Sequence, residues 1–241
     1  MRWMRKVYFI ADAHLGVESA EKEAKKLKKL LLFLEGMETK ASHLCILGDL
    51  FDFWFEYRTV IPKDFYPVIM KLYQIAHSGV EISYVCGNHD WWQRDFFRDS
   101  IGMKIFQGRL ETVLCQKRLF LAHGDGLGNR DFGDRVFNRM LRSRANVTLF
   151  SAIHPDLGIR LGRRLSRLSR RNSKCFRGDT LIEFAKKKFQ EGFDYVILAH
   201  THAPVLSRYG QNVYVNVGDW MSNFTYAEMD PTGVRLCQFH E

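Results

Sequence analysis

Five short apolar runs in this chain each stop at side chains that bind metal ions, and few folds satisfy that pattern. Residues 7–11 lead into Asp12-Ala13-His14, and residues 44–47 into Gly48-Asp49. Residues 82–86 lead into Gly87-Asn88-His89-Asp90, residues 119–122 into His123-Gly124-Asp125, and residues 195–199 into His200-Thr201-His202. Each run is rich in β-branched or aromatic residues and reads as a short buried strand. In α/β sheets ligands gather where strands end at their carboxyl side, so the five ends are expected to build one polar centre.

Helices are expected between the runs. Ala20, Ala24, Leu27, Leu31 and Leu34 mark an apolar stripe among lysines. Residues 65–76, after Pro62, and residues 180–189 read as two more helices. Residues 111–122 read as a hairpin, as do 205–209 with 213–217 and 224–229 with 234–239, parted by Gly and Pro turns. The predicted fold class is α/β: two packed sheets flanked by helices. A length of 241 residues suits a single domain, 1–241. The five widely spaced cysteines offer no C-x-x-C pair, which fits a reducing compartment rather than a disulfide framework or zinc knuckle. The apolar run after the basic start is too short for a secretory core, and no stretch approaches the ~20 apolar residues of a membrane span, so a soluble or peripheral protein is expected.

Residues 128–178 interrupt the strand pattern. Phe132, Val136 and Met140 recur every four residues, and Leu157, Leu161, Leu165 and Leu168 follow at spacings of four, four and three. We read a helical insertion lying over the active-site side as a lid. It is also where the charge sits. Arg160, Arg163, Arg164, Arg167, Arg170, Arg171, Lys174 and Arg177 form a run without an acid, and the net charge of +9 less these eight leaves about +1 elsewhere. With its leucines this run makes a basic amphipathic helix, a type that docks on anionic membranes. Contact with nucleic-acid phosphates or a plain solvated face are the weaker readings.

The candidate metal ligands are Asp12, His14, Asp49, Asn88, His123, His200 and His202. Nitrogen and oxygen donors without thiolate suit Mn²⁺, Fe²⁺ or Zn²⁺. Asp49 is the natural bridge, because one carboxylate can ligate two metals. Glycines at 48, 87 and 124 let the backbone approach the ions. Two ions about 3.5–4 Å apart can clamp a phosphoryl group and lower the pKa of a water.

In this order, Asp-x-His, Gly-Asp, Gly-Asn-His-Asp, His-Gly-Asp and His-x-His resemble the calcineurin-like metallophosphoesterases. The resemblance implies that fold, and one ion on Asp12, His14, Asp49 and His202 with the other on Asn88, Asp49, His123 and His200. It implies that His89 faces the substrate phosphate as charge stabiliser or proton donor, with Asp90 orienting its imidazole. Residues 47–54, the stretch from Gly124-Asp125 to Asp131, and Arg171-Asn172-Ser173-Lys174 are similar to a narrower family, the UDP-2,3-diacylglucosamine diphosphatases of lipid A synthesis. Many of its members carry Arg where this chain has His89. This resemblance implies a pyrophosphate hydrolase, typically with Mn²⁺, that forms UMP and a lipid phosphate. It implies substrate contacts at Asn88, His89, Asp131, Asn172, Lys174 and His200, and a cytoplasmic protein peripheral to the inner membrane, whose partners are a nucleotide lipid and an anionic bilayer. Phe51, Phe53, Trp54, Phe55 and Tyr57 read equally as an acyl or uridine pocket and as core and lid contacts. A nuclease or nucleotide phosphodiesterase on the same site is the rival enzyme. A scaffold without chemistry is the rival from another class, disfavoured because it needs no seven ligands. The sequence fixes no oligomeric state.

Overall fold

The computed structural model describes residues 5–127, 143–172 and 179–240. In chain order the strands are β1 (Lys6–Ile10), β2 (Ala41–Ile46), β3 (Glu81–Cys86), β4 (Lys104–Gln107), β5 (Arg109–Leu114), β6 (Lys117–Ala122), β7 (Tyr195–Leu198), β8 (Val205–Tyr209), β9 (Asn212–Asn216), β10 (Thr225–Asp230) and β11 (Gly233–Gln238). The first sheet has the order β11-β10-β1-β2-β3-β4 and the second β5-β6-β7-β9-β8. Strands β1 to β4 run parallel, as do β6, β7 and β9. The three expected hairpins are present as antiparallel pairs: β5 with β6, β8 with β9, and β10 with β11.

The apolar runs are continuous because their strands are covered on both faces. In β1, Tyr8 and Ile10 point into a core shared with helices, while Val7 and Phe9 point between the sheets against Leu119, Leu121, Ile197 and Val215. The outer layer on the first sheet is α1 (Ala20–Leu34), the single turn α2 (Met37–Lys40) and α3 (Tyr66–His77). Helix α1 is rotated from the expected stripe. It buries Leu30, Phe33 and Leu34, with Leu27 and Leu31 only half-buried and Ala20 and Ala24 exposed. The reason lies in Lys26, whose Nζ reaches the His14 carbonyl at 2.9 Å and Glu23 at 3.1 Å and so turns this side of the helix inward.

The described part of the insertion is helical: α4 (Arg144–Ser151) and α5 (Pro155–Asn172). Helix α6 (Asp179–Gln190) then covers the second sheet through Leu181 and Ala185. Phe132, Val136 and Met140 lie outside the described residues. The leucine row of α5 is not its packing face, since Leu157, Leu161, Leu165 and Leu168 are 43–60% exposed. One residue along, and therefore about 100° round the helix, Gly158, Gly162 and Ser166 are buried. A Cβ at Gly158 would overlap the Tyr57 hydroxyl, and one at Gly162 the Phe53 ring. Phe53, Phe55 and Tyr57, with Trp92, Val147, Phe150 and Ile159, form a separate small core beneath these helices, while Phe51 and Trp54 belong to the main core. Among the described residues this aromatic segment makes core and helix-seat contacts.

Candidate metal centre

The carboxyl ends of β1, β2 and β3 meet those of β6 and β7 across the sandwich, and backbone bonds fasten the loops. Asp12 N donates to Gly48 O (3.1 Å), His14 N to Asp49 O (2.9 Å) and Ala199 N to His123 O (2.8 Å). His200 N donates to Asp12 Oδ2 at 2.8 Å, joining the two sheets. A Cβ at Gly87 would run into the Asp49 carboxylate, so only glycine lets these loops close.

Among the described residues three overlapping clusters form here: Asp12, His14 and His202; Asp49, His123 and His200; and, between them, His14, Asp49 and His89. In the first, His14 Nε2 and His202 Nε2 each stand 3.6 Å from Asp12 Oδ1. In the second, His123 Nε2 is 3.2 Å from Asp49 Oδ2, 3.2 Å from Asn88 Oδ1 and 3.1 Å from His200 Nδ1. Asp49 Oδ2 is also 3.6 Å from His14 Nε2, so one carboxylate oxygen faces both clusters. With ligand bonds of about 2.0–2.2 Å, neighbouring donors around one cation stand about 3–3.5 Å apart, close to these separations. Among the described residues, buried Asp12 Oδ1 and both nitrogens of His14 have no hydrogen-bond partner. Such atoms cost about 1–3 kcal/mol each when left unsatisfied, a cost a bound cation removes. The His123 Nδ1–H donates to Leu47 O at 2.8 Å, which aims Nε2 at the cluster as in metal-binding imidazoles generally. This arrangement suits a dinuclear metal site.

The electrostatics are those of opposite charges awaiting a cation. Burial opposes ionisation of Asp49, but the imidazoles of His123, His89 and His14 outweigh it and hold the carboxyl well below its usual range. Burial likewise opposes charge on His123, yet Asp49 and Asp12 lift it well above an ordinary histidine. His200 goes the other way, to about 4, because burial and charged His123 both disfavour its proton.

His89 belongs to the cluster with His14 and Asp49, its Nε2 3.9 Å from Asp49 Oδ2. The expected orientation of its ring by Asp90 is not found. The Asp90 carboxylate accepts from Gly87 N (2.8 Å), Leu50 N (2.9 Å) and the Tyr84 hydroxyl, so it braces the loop beneath the site. Burial raises it to about 6, Asp49 adding to the effect. The ring of His89 is instead held by Asp52 O, at 2.8 Å from Nδ1, and by Ser166 Oγ at 2.9 Å. Asp52 and Ser166 escaped the sequence reading. A signal for each was present: a third acid close behind Asp49, and the i, i+4, i+8 row of small residues in α5. Among the expected substrate contacts, Asn88, His89 and His200 come together here. Asn172 ends α5 and its side chain, like Asp131 and Lys174, lies outside what the structure describes. Beside the clusters, Arg160, Arg163, Arg164 and Arg167 of α5 face Gly16, Val17, Glu18 and Asp52 across a cavity of about 340 Å³.

A two-sheet sandwich with paired Asp/His clusters at converging strand ends is the architecture of the calcineurin-like phosphoesterases, whose family profile matches residues 5–204, and the chain belongs to that family. It is a metal-dependent phosphoesterase. Among curated relatives it is 29% identical to the UDP-2,3-diacylglucosamine hydrolase of Porphyromonas gingivalis (strain ATCC BAA-308 / W83) over 254 residues, 96% of each chain. It is 28% identical to the enzyme of that name from Haemophilus ducreyi (strain 35000HP / ATCC 700724), over 90% of this chain and 92% of the relative. A solved archaeal phosphodiesterase shares the fold, with a TM-score of 0.50 at 13% identity over 96% of this chain and 98% of that one.

Proposed function

We propose that the chain hydrolyses the pyrophosphate of UDP-2,3-diacylglucosamine, giving UMP and 2,3-diacylglucosamine 1-phosphate, as a step of lipid A biosynthesis. The observation that carries this reading is helix α5. It sets an arginine-lined cavity against the metal centre and turns a row of half-exposed leucines outward. A nucleotide lipid has both the anionic and the apolar part that these two faces fit. The relatives named UDP-2,3-diacylglucosamine hydrolase, which align along nearly the whole chain, support the same substrate.

In this reading Asp12, His14, Asp49 and His202 hold one divalent cation, and Asn88, Asp49, His123 and His200 the other, with Mn²⁺ preferred to Fe²⁺ or Zn²⁺. Such a pair supplies Lewis acidity to the phosphoryl group and to the attacking water. His89 points Nε2 to the same side and stabilises charge that develops on the phosphoryl oxygens or protonates the leaving group. Within a single domain, the described helices of the insertion, α4 and α5, act as a lid over the site. The leucine face of α5, flanked by arginines, rests on an anionic bilayer; burying the exposed half of each leucine contributes about 1 kcal/mol. Among the described residues no helix is long and apolar enough to cross a membrane, and we place the protein in the cytoplasm, peripheral to the inner membrane.

The test is kcat/KM with Mn²⁺ for UDP-2,3-diacylglucosamine, its deacylated form and bis(p-nitrophenyl) phosphate. A preference of orders of magnitude for the acylated nucleotide is expected. Equal rates with and without acyl chains would leave a phosphodiesterase of another substrate.

A further inference from the structure

Ser166 is 7% exposed although it belongs to a helix whose other faces are open to solvent. The row Gly158-Gly162-Ser166 brings α5 so close to Phe53 and Tyr57 that the hydroxyl reaches the loops after β2 and β3. There Ser166 Oγ donates to Asp52 Oδ1, at 2.8 Å. The Asp52 carbonyl only accepts, so the proton on His89 lies on Nδ1, 2.8 Å away. With its own hydrogen committed, Ser166 Oγ stands 2.9 Å from the same Nδ1 as a second acceptor. His89 Nε2 is left facing Asp49, on the side of the metal clusters.

We propose that Ser166 is a positioning residue for the reaction: its hydroxyl, delivered by the seated helix, joins the Asp52 carbonyl in fixing the ring plane of His89, so that Nε2 is presented to the phosphate. Orientation of His89 is thereby tied to the seating of α5. The inference rests on His89 facing the phosphate and not on the identity of the lipid nucleotide.

Ser166→Thr keeps the hydroxyl, and Ser166→Val matches the bulk of threonine without it. With bis(p-nitrophenyl) phosphate and Mn²⁺, Ser166→Ala and Ser166→Val are expected to lose about tenfold in kcat, with KM within about twofold, while Ser166→Thr keeps most of the rate. Added to His89→Ala, Ser166→Ala should cost nothing further. Ring ¹H–¹⁵N spectra of the metal-free protein give a readout apart from turnover: a slowly exchanging Nδ1 proton on His89 in the wild type and Ser166→Thr, exchanging faster in Ser166→Ala and Ser166→Val, where the Asp52 carbonyl holds the ring without the hydroxyl. Equal rates for the Thr and Val variants, a loss confined to KM, or a full loss persisting without His89 would each reduce Ser166 to a helix contact. A wild-type rate in His89→Ala would instead remove the role of His89, and the spectra would still report whether Ser166 holds its ring.

Discussion

Asp12, His14, Asp49, His200 and His202 share a backbone conformation that L-residues avoid, with φ between 41° and 72°. Each costs about 1–3 kcal/mol unless its surroundings hold it, and here the cross-loop hydrogen bonds do so. The strain falls on the proposed ligands, so their substitution is expected to read out in metal binding first. Asp49→Asn should lower metal content at both sites and reduce kcat by more than about 100-fold, since losing even an outer-shell partner costs 10–100-fold; elemental analysis beside turnover checks it. His89→Ala should keep both ions and lose ~10²–10⁴-fold in kcat; a fall in metal content would make His89 a ligand. His14 sets a pH dependence. In the metal-free protein burial opposes its charge, but Asp12, Asp52 and Asp49 outweigh this and raise the ring to about 9. The folded chain then holds the proton more tightly than the unfolded chain, where histidine titrates near 6.5. This contribution to metal-free stability is complete below about pH 6.5 and lost as pH rises through about 9. A cation must displace that proton, so metal affinity should rise at least about tenfold per pH unit across the same window. Calorimetric titration in two buffers of different ionisation enthalpy detects the released proton.

Elements differ in how plainly the chain announces them. Strands β1, β2, β3, β6 and β7 are legible because burial on both faces leaves an unbroken apolar run, and the ligand at each end marks its stop. Strand β4 is not, for it is an edge strand with no fully buried residue. The β5–β6 turn is carried by Cys115 and Gln116 at φ of 49° and 60°, with none of the glycine or asparagine that signals such a turn. The contact of Ser166 with Asp52 spans 114 residues, beyond any local pattern. Helix α5 yields the sharpest contrast. Gly162→Leu forces a side chain into the Phe53 ring and should destabilise the seat by about 1–3 kcal/mol, opening α5 to proteolysis. Leu165→Ser, on the exposed face, should move stability by no more than about 0.5 kcal/mol yet weaken sedimentation with anionic vesicles. Equal effects of the two in either assay would contradict the division of faces.

At the scale of the molecule the two sheets are joined by an apolar interface and by the loops of the metal centre. Removing the ions should therefore loosen the whole sandwich. At 100 times Kd a ligand contributes about 2.7 kcal/mol of stability. For a chain of this size that predicts a Tm lower by about 5–10 °C after chelation, recovered on adding Mn²⁺. An unchanged Tm would mean that the ions sit on a frame already complete without them. The proposed ligands run from Asp12 to His202, and β1 finds its partner β10 only at residues 227–229. This ordering bears on how the protein is made. A growing chain has no complete site of either kind until the ribosome has passed residue 200. Before that point no ion can meet the full donor set of either site. The choice of ion is therefore made late, on a chain whose first seven strands are already synthesised.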